Sequence, residues 1–95
     1  MPELRRRLKG ELDFRNADEL RKQLTSMVAD SQDDVVLDCD GLRFIDTTGV
    51  SVFTGVSGLL ARAHRGFRLV NVHGSPRRKI EMLGLTKLFG LENAR

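Results

Sequence analysis

The sequence predicts an α/β domain: a small, mostly parallel sheet of about four strands with helices packed on it. Three observations predict it. Strand-like and helix-like patterns alternate along the chain, which within one sheet implies right-handed crossovers between parallel strands. Val35-Val36-Leu37, continued by Asp38-Cys39, is apolar at consecutive positions, as in a strand covered on both faces. The 95 residues, 40% hydrophobic and 31% charged, fit one domain over residues 1–95 and exclude disordered and collagen-like classes. A chain of this length buries about 60–65% of the surface it exposes when unfolded, enough for one modest core. That argues against a deep, multi-lobed catalytic site.

Each element has its own signal. Leu4 to Lys9 reads as a strand at an exposed edge, although Arg5, Arg6 and Arg7 interrupt the apolar alternation. Asn16-Ala17-Asp18-Glu19 has capping-box spacing, and Leu20, Leu24, Met27 and Val28 then recur on one helical face that ends near Asp30. The buried strand at Val35 to Cys39 follows Asp33-Asp34. From about Val50 a second helical face carries Phe53, Val56, Leu60 and Ala63, with Gly66 as its stop. Phe67 to Val72 is another strand. Gly74-Ser75-Pro76 supplies a turn, a cap serine and a first-turn proline for a short helix reaching Leu83. Gly84 with Leu85 fits a Schellman-type stop, Leu88-Phe89 fits a last brief strand, and Leu91 to Ala94 could begin a helix.

Composition narrows the chemistry. Sixteen basic and 13 acidic residues leave a net charge of +3, with basic clusters at Arg5 to Arg7, at Arg62 with Arg65, and at Arg77 to Lys79. The only aromatics are five Phe, most of them in apolar runs, so there is no basic stripe with interleaved stacking residues to bind nucleic acid. The basic clusters read as solvated faces. Cys39 is the single cysteine, and His64 and His73 lie far from it, which excludes a disulfide framework and a zinc site; Cys39 itself reads as a small buried hydrophobe. The N-terminus lacks an apolar signal core and no stretch of 18 apolar residues occurs, so a soluble, cytoplasmic protein is expected.

Catalytic signatures are sparse. Neither G-x-G-x-x-G nor a P-loop occurs, and Gly55-Val56-Ser57-Gly58 falls inside a helical period, where it reads as close packing. His73 at a strand end is the one base that could face Thr47 and Thr48. Asp13, Asp38, Asp40 and Asp46 show no spacing that singles out an acid/base pair. Asp46-Thr47-Thr48-Gly49 carries more content, because it places a carboxylate and two hydroxyls between a buried strand and a strong helix. Two readings stand side by side: a helix cap, which the residues alone favour, and an accessible hydroxyl whose phosphorylation acts as a switch.

Four blocks occur in order: Gly10-Glu11-Leu12-Asp13, Val35-Val36-Leu37-Asp38, Phe44-Ile45-Asp46-Thr47-Thr48-Gly49-Val50, and Ser75-Pro76 through Met82-Leu83-Gly84-Leu85. Together, from about Leu8 to Phe89, they resemble the STAS domain and, more narrowly, bacterial anti-sigma factor antagonists. The resemblance implies a small STAS-like domain without the family's first strand and most of its last helix. It implies a non-enzymatic binding module with no cofactor and no metal, whose phosphoacceptor is Thr48 and whose partner-binding loop is Asp46, Thr47, Thr48 and Gly49, with Asp13 beside it.

The implied partners are an anti-sigma factor of the serine/threonine kinase type and a phosphatase that resets the switch, with no direct DNA binding and no membrane. In that scheme the unphosphorylated antagonist sequesters the anti-sigma factor and a sigma factor is released. Thr47-Thr48 stand where the family more often has serines. An open sheet edge and uncovered helix-packing surface add self-association to the expectations. The alternative is a STAS accessory or scaffold module of a transporter or stressosome in which Thr47 and Thr48 only cap the helix.

Overall fold

The computed structural model describes residues 2–91. Strand β1 (Glu3–Leu12), helix α1 (Ala17–Ala29), strand β2 (Asp34–Ile45), helix α2 (Thr47–Arg62), strand β3 (Phe67–Val70) and helix α3 (Gly74–Met82) follow one another. The strands form one parallel sheet in the order β1-β2-β3. Central β2 holds the buried run Val35, Val36 and Leu37, each at most 1% exposed. The core joins strand side chains such as Val35, Leu37 and Leu69 to Leu24 of α1, Phe53 and Leu60 of α2, and Ile80 of α3.

The arginines of β1 do not break its alternation. Leu4, Arg6, Leu8 and Leu12 turn toward the helices while Arg5, Arg7, Lys9 and Glu11 are exposed. Arg6 takes its place in a row with Leu37 and Leu69, and its guanidinium reaches the Gln23 amide oxygen on α1. A long aliphatic stem lets a cation occupy such a half-buried position. β1 lies at an edge, as expected, where exposed cations and two register shifts, between Arg7 and Lys9 and between Gly10 and Glu11, oppose addition of another strand.

Several local expectations change. Among the described residues the sheet has three strands; Leu88-Phe89 lies in a turn. The Phe89 carbonyl accepts from the Leu69 N–H at 2.9 Å, but its own N–H turns back to the Leu85 carbonyl at 3.0 Å. Its ring packs edge-on against Phe53 and Phe67, with centroids 5.8 and 6.1 Å away, so the apolar pair signals burial, not pairing. The stop of α2 is His64, in the left-handed region at φ 58, not Gly66; Arg65 N–H to Leu60 O and His64 N–H to Ala61 O complete a Schellman motif. Gly84, at φ 72, ends α3 in the expected way, with Leu85 N–H on Ile80 O and Gly84 N–H on Glu81 O.

Helix α3 begins at Gly74 with His73 at the cap, so Ser75 lies inside the first turn. Gly55 and Gly58 are not close-packing glycines, since a Cβ at Gly55 would meet nothing within 4 Å and one at Gly58 only Arg62 Nη1 at 3.7 Å. Arg65 is not part of a solvated face: its Nε and Nη1 donate to the Asp33 and Val28 carbonyls, both at 2.8 Å, tying the end of α1 to the α2–β3 turn. Cys39 is buried as expected, and burial pushes its thiol up to about 12. The helix start read at Leu91 to Ala94 falls mostly outside the described residues.

Candidate functional site

The corner where β2 meets α2 is fixed by one carboxylate. Asp46 leaves the sheet in an extended conformation, and its N–H donates to the Leu12 carbonyl at 3.1 Å. Its Oδ1 accepts from the Gly49 N–H at 2.8 Å and its Oδ2 from the Phe14 N–H at 3.1 Å. The same side chain therefore caps α2 and fastens the β1–α1 turn to it. Gly49 is required by space: a Cβ there would lie 2.7 Å from both Ile45 Cγ1 and the Leu12 carbonyl oxygen. The helix packs onto the strand ends so closely that only hydrogen fits.

Thr47 and Thr48 occupy the first turn of α2 and are exposed. Ser51 Oγ donates to the Thr47 carbonyl at 3.1 Å. Among the described residues the Thr48 hydroxyl has no hydrogen-bond partner. Thr48 lines a cleft of about 210 Å³ between α1 and α2, together with Phe14, Asp18, Arg21, Ser51 and Val52. Phe14 forms an apolar rim, 73% exposed. The Thr48 hydroxyl therefore stands exposed on a turn that Asp46 fastens through the Gly49 and Phe14 N–H groups.

Asp13 sits one residue before Phe14 and is buried. Arg15 binds it through the backbone N–H and Nε on Oδ1, at 3.0 and 3.2 Å, and through Nη2 on Oδ2 at 2.8 Å. These hydrogen bonds, side chain first, hold the Asp13 carboxyl below the usual aspartate range. Its charge is thus compensated within its own turn. Asn16 does not make the expected capping box: its amide accepts from the Asp13 N–H at 3.0 Å and donates to the Glu11 carbonyl at 2.7 Å, and Glu19 accepts instead from Gln23.

The remaining candidates do not converge with the threonines. Among the described residues, His73 donates from Nε2 to the Asp40 carbonyl at 2.7 Å and bonds to neither Thr47 nor Thr48. Asp38 accepts from Asn71 Nδ2 and from the Asp40 N–H, both at 3.0 Å, which lowers its carboxyl from the ordinary value, Asn71 contributing most. No group of three or more His, Cys, Asp or Glu stands ready for a metal among the described residues. Phe14, Arg21 and Ser51 join Thr48 in lining the cleft without belonging to the motif blocks that stand out in the sequence, apart from the turn position of Phe14. Phe14 has a signal, an aromatic in a turn between strand and helix; Arg21 has none, since it shares a cleft with Thr48 only once α1 and α2 are packed.

Fold and corner together define a small parallel α/β domain that presents, at a strand-to-helix turn, a hydroxyl without a partner among the described residues, and whose sequence holds neither G-x-G-x-x-G nor a P-loop. The chain belongs to the STAS domain family, which matches residues 6–95. It is 29% identical over 79 residues to an anti-sigma-B factor antagonist of Staphylococcus aureus, covering 83% of this chain and 73% of that protein. It is 30% identical over 83 residues to an anti-sigma F factor antagonist of Paenibacillus polymyxa, covering 86% and 71% respectively. The crystal structure of an anti-sigma factor antagonist from Mycobacterium paratuberculosis superposes with a TM-score of 0.81 at 28% identity, over 93% of this chain and 74% of that one. The murine anion transporter Slc26a9 contains a similar unit, with a TM-score of 0.73 at 20% identity over 85% of this chain and 14% of the transporter, a likeness of fold alone. Among the described residues no helix is long and apolar enough to cross a membrane.

Proposed function

We propose that this chain is an anti-sigma factor antagonist whose binding is switched at Thr48. Unphosphorylated, it docks through the corner formed by Asp13, Asp46, Thr47, Thr48 and Gly49 onto an anti-sigma factor that is also a serine/threonine kinase, and a sigma factor is set free. The kinase transfers the γ-phosphoryl group of ATP to Thr48: the Oγ1–P bond forms, the bond from the γ-phosphorus to the β,γ-bridging oxygen breaks as ADP leaves, and the hydroxyl proton passes to a base of the kinase. A phosphate on Thr48 then adds a charge of about −1.5 to −2 and a hydrated bulk that a closely packed partner surface does not accommodate, and a phosphatase resets the chain. The chain itself supplies no catalytic group, and its place is the cytoplasm, with its partners.

One observation carries this reading: the exposed Thr48 hydroxyl has no internal partner among the described residues, while Asp46 holds the following Gly49 N–H and the Phe14 N–H of the neighbouring turn. The names of the relatives support an anti-sigma factor as the partner. Incubation with the anti-sigma kinase and ATP, followed by mapping of the added phosphate, tests it. Modification at Thr48 is expected and should vanish in Thr48→Ala; modification elsewhere only, or none, would contradict the reading and favour a scaffold or transporter-associated module.

A further inference from the structure

We infer that Arg21 is a clamp for the phosphate on Thr48: once Thr48 is phosphorylated, the Arg21 guanidinium leaves Asp18 and binds the phosphoryl oxygens across the α1–α2 cleft. The inference rests on Thr48 being the phosphoacceptor. Arg21 and Asp18 on α1 and Thr48 and Ser51 on α2 line one cleft of about 210 Å³, roomy beside the roughly 30 Å³ share of a water molecule.

Arg21 is available for the exchange. Its ion-pair partner is Asp18, three residues back on the same helix, and the two side chains are 56% and 61% exposed. Such pairs contribute little, and Asp18 keeps a cation when Arg21 departs, because Lys22 Nζ lies 3.5 Å from its other oxygen. A phosphate dianion is the stronger attractor, and a planar guanidinium meets it with two parallel N–H bonds. The other charge at the corner, Asp46, already has an amide N–H on each carboxylate oxygen. Ser51 can turn its hydroxyl from the Thr47 carbonyl to the phosphate. Drawn inward, the phosphate lies against Phe14, so modification covers the apolar rim of the cleft as well as adding charge.

The test uses the full chain with phosphothreonine incorporated at Thr48 during synthesis, titrated by phosphorus NMR and compared with the same phosphoprotein carrying Arg21→Gln or Arg21→Lys. An amide proton–nitrogen spectrum verifies that each variant is folded. The second phosphate pKa, ordinarily about 6, is expected roughly half a unit lower with Arg21 than with Gln, with Lys between, and the Arg21 Nε–H resonance should move on phosphorylation. Identical titrations of the Arg21 and Gln proteins, with an unmoved Nε–H, would overturn the clamp. The functional reading fails separately: if phosphate leaves anti-sigma factor binding unchanged, the switch is lost whatever the titration shows, whereas switched binding with identical titrations removes the clamp alone.

Discussion

Two corners bring a strand end to a helix start, β1 to α1 at Asp13 to Asn16 and β2 to α2 at Asp46 to Gly49, and they use their polar side chains in opposite ways. At the first, Asp13, Arg15 and Asn16 satisfy one another and the turn that carries them, and the helix receives no side-chain cap. At the second, a single carboxylate binds the helix and reaches back to the first corner through the Phe14 N–H. The difference teaches where function can sit. Thr47 and Thr48 are released from capping because Asp46 does it for them.

Substitutions can break this contrast. The largest expected effect is at Gly49, where Gly49→Ala drives a Cβ into the Leu12 carbonyl and Ile45 and should cost about 1–3 kcal/mol in urea unfolding. Gly55→Ala, in the same helix but facing open space, is its control and should instead gain up to about 1 kcal/mol from helix propensity. An unchanged midpoint for Gly49→Ala would mean that α2 can slide off the strand ends and that the corner is not rigid. Smaller, but sharper for the comparison, is Asn16→Asp. As a helix cap, Asp is as good as Asn; as a donor to the Glu11 carbonyl it is useless, so a loss of about 1 kcal/mol is expected where capping alone predicts none.

Much of this was legible because it depends on local pattern. The consecutive apolar residues of β2, the face of α1, the face of α2 except for Ala63, which is exposed just past the helix end, the Gly84 stop and the Asp46 to Gly49 block appear in their expected places. What was not legible depends on tertiary choices. Asn16 has the right type and spacing for a cap, yet the exposed Glu11 carbonyl and Asp13 N–H compete for its amide and win. Phe89 is fully buried by two other phenylalanines brought from α2 and β3, which no local window contains. Arg6 reads as a break in a strand until Gln23 of α1 is seen to receive it. At the corner, the exposed position of Thr48 follows from its place in the block, but the cleft with Phe14 and Arg21 exists only after α1 and α2 pack.

The most direct test is the affinity of the anti-sigma factor for the unmodified and the Thr48-phosphorylated chain, measured by titration calorimetry at one salt concentration. A loss of tenfold or more, at least about 1.4 kcal/mol, is the predicted result, with Thr48→Ala binding like the unmodified chain. Equal affinities for the phosphorylated and unmodified proteins would contradict it.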